Sequence, residues 1–202
     1  MHDHFGRLDV VHNNAGYRLF GAVEELAEQQ IRAQTETNFF GTLWVIQAVL
    51  PLLRAQGRGH IVQISTIAGV AAFPTLGGYN ASKWALEGLT EALAQEIAGF
   101  GIMVTLVEPG GVAIDWSGSS AAHAEPLPAY DEVRAAGWKD IPVGDPAAVG
   151  PALLKIVSAE DSPLRVFFGP VPMGMVHQLC NEQLGTWEQW AEFAAEAQGT
   201  VA

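Results

Sequence analysis

Apolar positions along the chain follow two periods, short β-branched runs and longer stretches that repeat every three to four residues. LDVVHNNAG (8–16) opens on such a run and ends in Asn-Asn-Ala-Gly, which predicts a strand leading into a loop. From Glu25 to about Ala55, Leu26, Ile31, Phe39, Leu43, Ile46, Val49, Leu50 and Leu53 recur at helical spacing. Asn38, a weak helix former, interrupts that pattern and divides it into two helical pieces. GRGHIVQIS (57–65) predicts a strand entered through a glycine turn. Residues 77–99 predict a helix with Leu86, Leu89, Leu93 and Ile97 on one stripe, stopped by Gly99 and Gly101. IMVTLVEPGG (102–111) is nearly continuous in its apolar content, as a strand buried on both faces of a parallel sheet is.

Between Val112 and Asp145 the composition turns to Gly, Ser, Pro and Ala, with Trp116, Tyr130 and Trp138 interspersed. A long irregular segment after a strand's carboxyl end reads as a binding loop or lid. A short helix (about 146–158), a last strand PLRVFFG (163–169) and a Trp-rich helix (173–197) complete the chain. The alternation predicts one α/β domain over residues 1–202, a Rossmann-like, doubly wound parallel sheet with helices on both faces. Ligands of such sheets bind beyond the carboxyl ends of the strands, which places NNAG, the residues after Ile64, and PGG on one rim.

Composition narrows the partners. With 202 residues, 49% of them hydrophobic, the chain has enough material for one sizeable core. Ten basic against 22 acidic side chains give a net charge of -12, the wrong sign for nucleic acid or an anionic membrane surface. Cys180 is the single cysteine, so the expected setting is reducing and cytoplasmic. No apolar run approaches the ~20 residues of a membrane span, and MHDHFGRLD lacks a signal peptide's basic and apolar regions.

The chemistry concentrates in GGYNASKWALEGL (77–89), where Tyr79 and Lys83 stand four positions apart on one helix face. A phenol is a poor base near neutral pH, but a neighbouring ammonium favours the phenolate. Tyr79 would then exchange a proton with a substrate hydroxyl or carbonyl. Such a pair also arises by chance as two solvated side chains. Hydroxyls at Ser65 and Thr66, just past a strand end, and Asn38 at the helix interruption supply the surrounding donors, acceptors and relay.

NNAG (13–16), NFFGTL (38–43), GHIVQISTIAG (59–69), YNASK (79–83) and VEPGG (107–111) resemble, in order, the landmarks of the short-chain dehydrogenase/reductase family. The resemblance covers essentially the whole chain, most loosely beyond about residue 117. It implies an NAD- or NADP-dependent oxidoreductase interconverting an alcohol and a ketone or aldehyde by hydride transfer. Tyr79 would be the acid/base residue, Lys83 would lower its pKa and hold the nicotinamide ribose, and Asn38 would hold a relay water. Thr66 stands where the family has its catalytic serine. Adjacent residues of an extended chain face opposite ways, so Thr66 rather than Ser65 is expected to face the site. By the same resemblance Asn14, with Ala15 and Gly16, belongs to the cofactor ribose region, and Pro109, Gly110 and the Val112 backbone to the nicotinamide edge. Ile114 departs from the threonine the family places there.

No G-x-x-x-G-x-G turn follows a strand in this chain, and residues 1–8 resemble the junction of the family's third helix and fourth strand. The expectation is an N-terminally truncated member lacking about 75 residues, at ~30 per strand–helix unit. The Leu8–Val11 strand would then be an exposed edge. A catalytically inactive fragment acting through association stays open beside the enzyme, with homo-oligomer contacts through helices 28–55 and 79–99. Cofactor-free halide elimination on the same scaffold resembles Tyr-x-x-x-Arg, against which Lys83 argues. His2, His4, His12, His60, His123 and His177 show no metal-ligand spacing, and Trp187 and Trp190 read as core or interface.

Overall fold

The computed structural model describes residues 2–113, 118, 120–137 and 142–199. The strands are β1 (Val10–Asn13), β2 (Leu19–Phe20), β3 (Gly59–Ile64), β4 (Ile102–Pro109), β5 (Ala122–His123) and β6 (Arg165–Phe168). A parallel sheet runs β1-β3-β4-β6, with Val11 opposite Ile61, Ile61 opposite Val104, and Val107 opposite Val166. Strands β2 and β5 form a separate two-stranded parallel ladder. After a helical turn at His2–Phe5, the helices are α1 (Glu28–Thr35), α2 (Gly41–Gln56), α3 (Gly77–Ile97), α4 (Asp131–Ala135), α5 (Val149–Val157), α6 (Val171–Gln189) and α7 (Ala191–Gln198).

Because successive strand residues point to opposite faces, neighbours in β3 serve different cores. Ile61 joins Val104, Ile46 and Leu53 of α2, and Leu93 and Ile97 of α3. Val62 joins Val107 and, from α5, Ile156 and Leu153. Helices thus cover both faces, as the strand and helix periods predict. At one end of the sheet β1 pairs only with β3 among the described residues, and Val10 is 41% exposed. The expected edge is present.

Three elements differ from the sequence reading. Asn38 does not divide a helix: α1 runs into α2 through a π turn, Glu36–Phe40, that widens the coil without ending it. The resulting Glu28–Gln56 helix has 29 residues and is long and apolar enough to cross a membrane by length and composition, although no unbroken apolar run announces it. Ile46 and Leu53 of this helix pack on the sheet, while 22% of its apolar window is buried. Second, the 112–145 segment is not irregular throughout, since it contains β5 and α4; Ile114, Trp116 and Trp138 lie outside the described residues. Third, the terminal helix is two helices meeting at Trp190, and Trp187 and Trp190 are exposed rather than in the core.

Candidate active site

The carboxyl ends of β1, β3 and β4 open together onto a cavity of about 1180 Å³. Tyr79 and Thr66 lie on its wall, and Asn14, Pro109, Gly110 and Val112 line it as well. The segment after β1 contributes Arg18 and Phe20 to the wall. The cavity continues across the sheet face past His12, Val107 and Leu153.

Tyr79 enters from the first turn of α3 and is fully buried. Burial pushes its phenol up to about 12, opposed by the Arg18 guanidinium and by the Thr66 hydroxyl. The Arg18 Cζ stands 5.7 Å from the centre of the Tyr79 ring. Lys83, expected from the resemblance to lower this phenol, is not among the groups that act on it here. Lys83 lies one turn further along α3, 2% exposed, and its Nζ donates to the Ile64 carbonyl at 2.8 Å. Burial lowers the ammonium to about 8, against the pull of Glu87 another turn along. Lys83 and Asn38 stand behind the cavity wall, next to Gly16, where a Cβ would come within 3.1 Å of Asn38 Oδ1 and 3.6 Å of Lys83 Nζ. Glycine at position 16 lets the backbone pass this close.

The π turn aims the Asn38 side chain at the Tyr17 backbone. Its Oδ1 accepts from Tyr17 N at 3.0 Å, and its Nδ2 donates to Tyr17 O and to Ser82 Oγ, both at 3.0 Å. Both amide protons are thus used in holding the NNAG loop against α3, a buried network that fixes geometry. Ala15 is exposed beside it.

Thr66 and Ser65 both line the cavity. Thr66 Oγ1 donates to the Pro109 carbonyl at 3.3 Å and accepts from Ala68 N at 3.3 Å, capping the short helix Ile67–Gly69. It joins β3 to β4 beside Tyr79. Ser65 Oγ lies toward Glu87: a Cβ at Gly69 would lie 2.6 Å from Ser65 Oγ and 2.8 Å from Glu87 Oε1. Glu87, at the same four-residue spacing as Tyr79 and Lys83, meets Glu108 and Glu91 around Arg165. Burial raises Glu87 to about 7. This cluster joins α3, β4 and β6 at sequence separations that no local pattern reveals.

Gly110 and Val112 complete the wall after β4. A Cβ on Gly110 would sit 2.7 Å from Pro172 Cγ at the start of α6, so glycine is required there. Ala113 N donates to Gly144 O, and Gly144 N to Gly111 O, both at 2.9 Å, which ties both ends of the 112–145 segment to the strand end. Over the far rim the segment is anchored by Glu25, which accepts from Leu127 N at 2.7 Å and from the Arg134 guanidinium. Tyr130 donates outward to Glu24 at 2.5 Å rather than into the cavity. The sequence reading missed Arg18, Glu25 and Arg134. The lone signal for Arg18 was a charged residue between aromatic Tyr17 and apolar Leu19 at the start of a short strand.

The profile of the family described as short chain dehydrogenase matches residues 1–125. Oxidoreductase BOA17 of Botryotinia fuckeliana (strain B05.10) is 37% identical over 201 residues, 96% of this chain and 73% of that protein. The crystal structure of a short-chain dehydrogenase from Streptomyces avermitilis has a TM-score of 0.88 at 34% identity, covering 97% of this chain and 73% of that one. A gluconate 5-dehydrogenase from Burkholderia cenocepacia J2315, in complex with NADP and tartrate, is 28% identical with a TM-score of 0.56. That match covers 57% of this chain and 46% of the other.

Proposed function

The chain belongs to the short-chain dehydrogenase family, and from that premise we propose an NAD(P)-dependent oxidoreductase that interconverts an alcohol and a ketone or aldehyde. Tyr79 is its acid/base residue. The observation that carries this reading is the placement of the Tyr79 phenol and the Thr66 hydroxyl side by side on one cavity, below the glycine edge Pro109–Val112. On reduction the phenol gives its proton to the substrate carbonyl oxygen while Thr66 orients that oxygen; on oxidation the proton returns.

The residues present fit the nicotinamide and ribose end of a dinucleotide. Gly110 and Val112 offer a flat backbone edge, Asn14 an amide at the strand end, and Lys83 an ammonium beside the narrow passage at Gly16. When bound, NAD or NADP supplies or accepts the hydride. Asn38 keeps the Tyr17 backbone and Ser82 in register beneath that passage. The neighbouring structure bound to NADP supports the cofactor class. Phe20, Leu76 and Ala124 on the cavity wall favour an apolar small-molecule substrate.

A second copy of the chain is the proposed partner, through the exposed Trp44 of α2 and Trp84 of α3; sedimentation of the wild type beside Trp44→Glu tests it. The proposed setting is cytoplasmic, in keeping with one unpaired cysteine. The reaction is tested by following NADH and NADPH oxidation with a panel of ketones and aldehydes. Tyr79→Phe, which removes only the hydroxyl, is expected to lower kcat by about 100-fold or more. Undiminished turnover in that variant rules out the mechanism.

A further inference from the structure

We propose that Arg18 is a positioning residue for proton transfer, its guanidinium holding positive charge against Tyr79 and stabilising the phenolate that forms when Tyr79 gives up its proton. The inference rests on Tyr79 being the proton donor, as proposed above, and extends it to a residue outside the Tyr-x-x-x-Lys pair.

Arg18 is fixed from both sides. The residue before it is clamped, its backbone N–H by Asn38 Oδ1 at 3.0 Å and its carbonyl by Asn38 Nδ2 at 3.0 Å and Gln34 Nε2 at 3.1 Å. The residue after it, Leu19, is fully buried and pairs with Ala122 across the β2–β5 ladder. The Arg18 carbonyl itself accepts from Ala122 N at 2.9 Å. From this anchored backbone the side chain reaches the cavity and places Cζ 5.7 Å from the Tyr79 ring centre, within range of a cation–π attraction.

Lys83 Nζ donates to the Ile64 carbonyl at 2.8 Å, and Arg134 is held by Glu25 and Asp131. Charge persistence also separates the two candidates for phenolate stabilisation. Burial disfavours the charged form of Lys83, whereas a guanidinium stays charged through any pH at which a phenol ionises. When the Tyr79 O–H bond breaks and its proton moves to the carbonyl oxygen, the oxygen left behind carries a full negative charge in a buried site. An adjacent fixed cation offsets that charge without a proton of its own being lost.

The test compares Arg18→Gln, Arg18→Lys and wild type by two readouts. A fluorinated tyrosine at position 79, whose ring substituents acidify the phenol into an accessible range, is titrated by fluorine NMR; this needs neither cofactor nor turnover. In Arg18→Gln the midpoint is expected to rise by about 1 pH or more, and in Arg18→Lys to return most of the way. In steady-state kinetics of carbonyl reduction, Arg18→Gln lowers kcat by about tenfold with KM little changed, again recovered by lysine. A midpoint unmoved in Arg18→Gln overturns the inference, as does a loss of kcat that lysine does not restore. Tyr79→Phe is run in parallel: if it retains activity, the acid/base reading itself falls. If it is inactive while Arg18→Gln is unaffected in both readouts, the role of Arg18 alone falls.

Discussion

Replacing Arg165 with methionine isolates what the buried carboxylate cluster does for the fold. Arg165 opens β6 and reaches across to α3 and β4. Its Nη1 donates to Glu87 and, at 2.6 Å, to Glu108, while its Nη2 donates to Glu91 at 2.8 Å. The side chains of Glu87 and Glu108 are 5% and 1% exposed, that of Arg165 32%. Methionine keeps much of the apolar stem and removes the charge, leaving two buried carboxylates facing each other. Breaking a buried ion pair by deleting one partner costs about 3–5 kcal/mol; with Arg165 a third exposed and water able to enter, about 2–4 is expected at pH 8.

The pH dependence follows from sign. Burial raises Glu87 from 4.5 to about 7 in the folded state, so its contribution to stability is fully present below the unfolded value and is lost as pH rises through about 7. Glu108 is raised in the same direction by burial. Without the guanidinium both move higher still, and the loss at pH 8 exceeds that at pH 5, where the carboxyls take up protons. Urea unfolding of wild type and Arg165→Met at the two pH values measures this. At about 2–4 °C per kcal/mol for a chain of this size, the pH 8 melting temperature falls by about 4–16 °C. Adding Glu87→Gln to the variant recovers part of the loss. An equal loss at both pH values, or one below about 1 kcal/mol at pH 8, refutes the assignment of an unpaired buried charge.

Gly110→Ala drives a Cβ to 2.7 Å from the ring of Pro172, which cannot rotate aside, so the start of α6 must shift; thermal unfolding should register a loss of about 1–3 kcal/mol. Leu53→Ala empties a fully buried position between α2 and the sheet, with an expected cost of about 2–5 kcal/mol by chemical denaturation. The buried Lys83 contributes stability that is full above the ordinary lysine value and is lost as pH falls through about 8. Lys83→Met should therefore flatten the stability profile between about pH 7 and 10 relative to wild type, and an unchanged slope would contradict the burial argument. Glu25→Gln weakens the hold on Leu127 and Arg134; a rise in substrate KM larger than the change in kcat is expected if the 121–137 segment closes the substrate side.

The order of strands and helices was legible because periodicity is a local property. Ile61 and Val62 point to opposite faces, and Leu86 and Leu93 share a helix stripe, whatever the rest of the chain does. The same local geometry put Tyr79 and Lys83 on one face of α3. The π turn at Asn38 was not legible, since one extra residue in a turn leaves the apolar spacing on either side nearly unchanged, and a weak helix former reads as an interruption.

By itself the sequence determined the α/β layering, the rim on which the candidate site forms, and the side chains proposed to move a proton there, because each follows from spacing along one strand or one helix. Tertiary structure alone decided which charges those side chains feel. Arg18 comes to Tyr79 from another element, and Arg165 meets Glu108 and Glu87 across 57 and 78 residues of chain. Electrostatic neighbours depend on distance in space and on exclusion of water, and neither is encoded in the separation of residues along the chain.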